Sequence, residues 1–241
     1  MTRIEREDHR AIWERKPALR KVYKDYYDRI LAQCRQGSTL EIGSGIGNLK
    51  DYCPQLTSVD IVTGESVDVV SDAQALPFAG GSFSNIVAVD TLHHVACPFH
   101  MLRESARVLR PGGRLLLLEP GVTIGSWFFY RFLHPERVDF DVNPLAEESL
   151  SDGRDPDDAN QAVATLLTGK YRDQLSHVCP QLRLVSHHWL SLFVYPLSGG
   201  FRPWSLVPNA LVDSSLKLDS RLAPLLGRLL GFRLFMIIDR I

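Results

Sequence analysis

Between Leu40 and Asn48 a short apolar run turns through three alternating glycines, Leu-Glu-Ile-Gly-Ser-Gly-Ile-Gly-Asn. Thr39–Ile42 has the length and apolarity of a buried strand. Gly43, Gly45 and Gly47 lack the Cβ that would hold a ligand away from the backbone N–H groups of the turn. Open α/β sheets bind cofactors at the carboxyl ends of their strands, where such a turn sits. The segment therefore predicts a parallel sheet with a strand-to-helix turn shaped around a small molecule.

The remaining chain supplies partners for that sheet. Leu56–Asp60, Val67–Val70, Asn85–Val89 and Arg114–Leu118 are short apolar runs bounded by turn formers, as expected of strands covered on both faces. Phe99–Leu109 is amphipathic and stopped by Pro111-Gly112-Gly113, so it reads as a crossover helix between the last two. The link Ile61–Ser66 is too short for another. Tyr23, Tyr26, Tyr27, Ile30 and Leu31 fall at helical spacing ahead of Gly37, which gives an N-terminal helix. From Gly121 the alternation breaks. The aromatic stretch Trp127–Phe132, an acidic, proline-punctuated segment through Asp158 and a helical pattern over Ala159–His177 read as an insertion or cap. Leu182–Leu192 and Leu234–Asp239 are strand-like again; Leu216–Leu230 lies between them, with Pro224 expected to kink or divide any helix there. The expected organisation is one domain over 1–241: a helical segment 1–37, a cofactor-binding core 38–120, an insertion 121–180 and a C-terminal completion of the sheet 181–241.

Twenty-seven basic and 28 acidic residues leave a net charge of −1, which offers nucleic acid no general attraction and points to a small-molecule partner. Cys34, Cys53, Cys97 and Cys179 show neither metal-type pairing nor disulfide-scaffold density, so no metal is expected and the thiols read as reduced in a cytoplasmic protein. The charged first thirty residues lack the apolar core of a secretory signal. No stretch reaches the roughly 20 apolar residues that span a bilayer.

The glycines also discriminate between cofactors. A dinucleotide fingerprint, Gly-x-Gly-x-x-Gly/Ala, would need glycine or alanine at Asn48 or Lys50, so neither register fits a nicotinamide-dependent oxidoreductase. Glu41-x-Gly43-x-Gly45-x-Gly47 instead resembles motif I of the class I S-adenosylmethionine-dependent methyltransferases. Asp60 ends the next strand, where a carboxylate can accept both ribose hydroxyls. Ser71-Asp72-Ala73-Gln74-Ala75-Leu76-Pro77-Phe78 is similar to the family's adenine-contacting segment, and Gly81–Val95 with Leu109–Arg114 resembles the later motifs of the methyltransferase type 11 group. The resemblance covers about Leu40–Glu119. It implies a Rossmann-like, seven-stranded, mainly parallel sheet with helices on both faces, a final antiparallel strand and an insertion after the fifth strand. It further implies S-adenosylmethionine as cofactor and S-adenosylhomocysteine as product. Glu41, Gly43, Ser44, Gly45, Gly47, Asp60, Ile61, Asp72, Ala73 and Asp90 are the expected cofactor residues, with Asp72 receiving the adenine amine and Ala73 giving a backbone N–H.

The acceptor is less constrained. His93 and His94 are candidate general bases, since imidazole titrates near neutral pH, though histidine here also serves as scaffold. Glu119 and His134 are further candidates. In-line methyl transfer draws much of its acceleration from alignment, so no base need exist. Trp127–Phe132 could be a lid over an apolar acceptor or simply pack the insertion on the sheet. Leu216–Leu230, with Lys217, Arg221 and Arg228, could lie on a membrane surface or pack likewise. Together they direct expectation to a hydrophobic or lipid-linked acceptor, a saccharide carrier among them, with O-methylation favoured. A non-catalytic module retaining the fold is the alternative.

Overall fold

The computed structural model describes residues 3–148 and 159–241. Its strands are β1 (Thr39–Ile42), β2 (Thr57–Asp60), β3 (Val69–Val70), β4 (Phe83–Val89), β5 (Leu109–Pro120), β6 (Leu182–Leu190) and β7 (Arg233–Arg240). They form one sheet in the order β3-β2-β1-β4-β5-β7-β6, in which only β7 runs against its neighbours. This is the expected class I arrangement. The acidic stretch at 149–158 lies outside the described residues.

Alternation along the central strands assigns one core to each face, because successive strand side chains point to opposite sides. Ile86 and Ala88 of β4, Leu115 and Leu117 of β5, and Met236 and Ile238 of β7 share a cluster with Phe99, Met101 and Leu102 of helix α3 (Pro98–Val108). The short helices α5 (Val163–Thr168) and α6 (Arg172–Val178) complete that layer through Leu167 and Leu175. The intervening residues Val87, Leu116, Leu118, Phe235 and Ile237 face the opposite way. There they meet Leu19, Val22, Tyr26 and Ile30 of α2 (Pro17–Leu31). Pro17, at the start of that helix, separates it from α1 (Arg3–Arg15), since proline fits a first turn but not a helix interior. Truncating a fully buried residue such as Ile30 to alanine costs about 2–5 kcal/mol.

Several local expectations are corrected. The glycine turn does not feed an α-helix; only a 3-10 turn, Asn48–Asp51, follows it, because β2 begins at Thr57 and Pro54 intervenes. Pro111–Gly113 lie within β5, not beyond a helix stop, and the β4–β5 register shifts there. The helical pattern over Ala159–His177 is two helices parted at Gly169. Pro224 lies inside a single helix, α8 (Val212–Leu230), which continues through it. Helix α4 (Ile124–Phe132) opens the insertion, capped reciprocally by Thr123 and Ser126. The short helix α7 (Val194–Ser198) follows β6.

Candidate cofactor and acceptor site

Parallel pairing places the carboxyl ends of β1, β2, β4 and β5 along one edge of the sheet, carrying Gly43, Asp60, Asp90 and Glu119. Antiparallel β7 brings its first residue, Arg233, to the same edge opposite Pro120. Residues separated by nearly two hundred positions thus line one crevice.

The glycine turn is built for close approach. Gly43, Gly45 and Gly47 all have left-handed backbone, with φ of 72°, 55° and 77°. A Cβ on Gly43 would sit 2.2 Å from Thr91 Oγ1, and one on Gly47 would sit 2.1 Å from the Ser66 Cβ. The Asp60 carboxylate holds this turn by accepting from Gly45 N (2.9 Å) and Val62 N (3.0 Å). Beneath it, the Glu41 Oε2 and Ser44 Oγ atoms are buried without a hydrogen-bond partner. Burial raises the Glu41 carboxyl to about 8, against the attraction of Lys50. Ile61 is exposed beside Asp60. Asp72 turns back on Gln74, accepting from its backbone N (2.8 Å) and its amide, with Ala73 half-buried against the core. The donor-lined turn, the unpartnered acid and hydroxyl and the paired Asp60 and Asp72 fit an adenosyl cofactor bearing an amine and a ribose.

Arg6, which the sequence reading did not single out, reaches this edge from α1. Its guanidinium donates to Asp60 Oδ1, and both side chains are buried. Arg6 Nε and Nη1 have no hydrogen-bond partner, each a buried donor whose desolvation costs about 1–3 kcal/mol. Arg10 Nη2 donates to the Ile46 carbonyl at 2.9 Å, fixing the same helix to the glycine turn.

On the acceptor side, Asp90 has φ 52°, unusual for a non-glycine residue. It accepts from the buried Arg233 guanidinium and, at 3.2 Å, from the Tyr23 hydroxyl. Arg233 also lies over the Tyr195 ring, 4.2 Å from its centroid. Arg233 went unnoticed in the sequence because only β7 pairing brings it here.

Glu119 does not face an acceptor. It is fully buried beneath the turn after β4 and accepts from the backbone N of Thr91 (3.0 Å) and Leu92 (2.8 Å). It also bonds the His93 ring Nδ1 at 2.6 Å. On the other side of that ring, Nε2 lies 3.6 Å from Glu136. Burial opposes a charge on His93, but the hydrogen bonds to Glu119 and Glu136 override it and raise the ring to about 10. The two carboxylates therefore favour the protonated form of His93. His94, half-buried and 4.2 Å from His93 ring to ring, is pushed down to about 3 by burial and by the His93 charge. His134 is lowered by burial and packs against Phe129 and Tyr130.

His93, His94 and Glu136 place their ligating atoms within 4.8 Å of one another, a spread compatible with a metal ion. Glu136 is held down to about 2 by the His93 hydrogen bond against the effect of burial, so the pair favours a shared proton where no ion is bound.

Residues 40–117 match the family model of a methyltransferase domain. The chain is 31% identical over 141 residues to a demethylmenaquinone methyltransferase of Beutenbergia cavernae, covering 48% of this chain and 59% of that one. It is 36% identical over 90 residues to a ubiquinone/menaquinone biosynthesis C-methyltransferase of Paracoccus denitrificans, covering 36% and 34%. A 27-O-demethylrifamycin SV methyltransferase of Amycolatopsis mediterranei is 49% identical over 47 residues, covering 20% and 17%. The chain thus spans less than two thirds of these relatives. Among solved structures, a methyltransferase of Thermotoga maritima shares the fold at a TM-score of 0.54 and 14% identity, covering 93% of this chain and 92% of that one. Geranyl diphosphate C-methyltransferase of Streptomyces coelicolor does so at 0.52 and 11%, covering 90% and 77%. Residues 40–117 are thus similar to a methyltransferase domain, and the seven-stranded sheet has the fold of these solved methyltransferases.

Proposed function

We propose that this protein transfers a methyl group from S-adenosylmethionine to an apolar acceptor carrying a phenol or enol. The observation that carries the reading is the convergence of the glycine turn and Asp60 with Asp90, His94 and Arg233 on one sheet edge. Glu41, Ser44, the glycine turn, Asp60 and Asp72 would hold the cofactor, which supplies an electrophilic methyl on a sulfonium. The chain's own residues then position the acceptor and accommodate the one proton it loses, whether the new bond is to oxygen or to a ring carbon.

Proton balance supports this acceptor class. His93 already carries a proton, His94 takes a second only near pH 3, and Glu136 is held near 2. Neutral His94 can accept a hydrogen bond from an acceptor hydroxyl but is a weak base for it. An alcohol of a saccharide needs stronger help, whereas a phenol ionises near pH 10 unaided. The adjacent imidazolium of His93 favours the resulting oxyanion. The relatives named for menaquinone and ubiquinone agree with a quinol-like acceptor and give no support to a sugar. The proposal therefore keeps the hydrophobic acceptor and drops the saccharide.

The test is methyl transfer from radiolabelled S-adenosylmethionine to naphthoquinols, simple phenols and lipid-linked sugars. Quinols or phenols should be methylated, with a rate rising with pH as the acceptor ionises, and His94→Ala should lower kcat about tenfold while leaving cofactor binding intact. Methylation of sugars alone would overturn the acceptor class. Cofactor binding without turnover on any acceptor would instead favour a non-catalytic module.

A further inference from the structure

We propose that the outward faces of α4 and α8 form one docking surface for an anionic lipid bilayer. The inner sides of both helices are tied down. Tyr130 of α4 is buried and donates to the Phe232 carbonyl at 2.8 Å. Gly227 of α8 lies so close to β6 that a Cβ there would stand 2.6 Å from the Trp189 Cβ. The two helices touch where Gly125 meets Leu229 and Leu230. Their remaining faces are turned to solvent with large apolar groups: Ile124 is 68% exposed, Phe128 58%, Phe132 69% and Leu225 81%, with Trp127 and Leu229 also exposed. Soluble surfaces rarely gather so many large apolar side chains without a partner.

Charge selects the occupant. Residues 121–135 and 220–238 contain no aspartate or glutamate, although the chain carries 28 acids in all. The exposed charged residues on the two helices are Arg131 on α4 and Asp213, Lys217, Arg221 and Arg228 on α8, and the acid among them, Asp213, is paired with Lys21. Arg131 is the close neighbour of Phe132, and Arg221, Leu225, Arg228 and Leu229 follow one another at helical spacing. Aromatic and aliphatic groups edged mainly by basic side chains suit the boundary between acyl chains and anionic headgroups. A second copy of this chain would meet the face in a two-fold pair, setting arginine toward arginine. Among the described residues no helix is long and apolar enough to cross a membrane, so the contact is peripheral. The surface borders the acceptor end of the crevice, since Phe232, which anchors Tyr130, directly precedes Arg233.

The proposal goes beyond the acceptor reading and is tested without turnover. Flotation of the purified chain with phosphatidylcholine vesicles, with and without phosphatidylglycerol, should show uptake that requires the anionic lipid and weakens with salt. Phe128→Glu with Phe132→Glu should reduce uptake more than tenfold, and each of Arg131→Glu and Arg228→Glu should reduce it at least about fivefold. All four positions are exposed, so melting temperature and S-adenosylmethionine binding should remain at the wild-type level and report that the variants fold. Uptake that is absent, or unchanged in folded variants, overturns the proposal. So does a concentration-dependent dimer, seen by sedimentation and lost in the same variants, without vesicle uptake; the face would then belong to a second copy.

Discussion

Arg6, on the first helix, donates to the carboxylate of Asp60 at the end of β2, across 54 residues of sequence. The pair is buried at the point where the family resemblance places the ribose of the cofactor, and two of the arginine's nitrogens have no hydrogen-bond partner. Asp60 cannot offer the same lone pair to a guanidinium and to a ribose hydroxyl. A ribose hydroxyl directed at Oδ1 would compete with the arginine, while Oδ2, which among the described residues accepts only from Gly45 N, keeps a second acceptor position.

Arg6→Ala should bind S-adenosylmethionine about tenfold more tightly than wild type, a gain of about 1.4 kcal/mol, while Asp60→Asn should bind it more weakly. Calorimetric titration measures both. A weaker Arg6→Ala complex would show the arginine to be a ligand of the cofactor and not its competitor.

Gly43→Ala should destabilise the fold and abolish cofactor binding together. The new methyl group meets Thr91 Oγ1 at 2.2 Å, and alanine resists the φ of 72° found there. The expected loss is about 1–3 kcal/mol, read as a lowered denaturation midpoint. Adding Thr91→Gly removes the side chain in the way and should recover part of the stability, but not the backbone term. Full recovery would mean that the left-handed conformation costs nothing.

The histidine pair should set the pH dependence of stability. His93 is raised to about 10 in the folded chain against 6.5 when free. Its stabilisation is complete below pH 6.5 and is lost as pH rises from there toward 10, by up to about 5 kcal/mol. His94, lowered to about 3, acts in the opposite sense: its neutral folded form loses stability as pH falls from 6.5 toward 3. Denaturant unfolding across this range should place the pair's optimum near pH 6.5. The difference between wild type and His93→Gln should shrink as pH rises through the upper window, and a difference independent of pH there would refute the charged state of His93.

What the sequence by itself determined was local. The spacing of Gly43, Gly45 and Gly47, the acid at the end of the next apolar run and the alternation in β4, β5 and β7 follow from steric and periodic rules acting within a few residues. These sufficed for the sheet class and for bringing the glycine turn and Asp60 to one edge of the sheet. The helix expected after the glycine turn was misread because chain length to the next strand, not turn chemistry, decided it. Glu119 read as a candidate catalytic group, yet it is buried beneath the Thr91–His93 backbone that it organises. Tertiary structure alone placed Arg6 on Asp60, Arg233 on Asp90 and Glu136 beside His93. It also shifted the two histidines in opposite directions from the neutral range at which imidazole ordinarily titrates. Each of these depends on strand order and helix packing that join distant segments, and a side chain's charge state follows from the groups brought around it and the water removed from it.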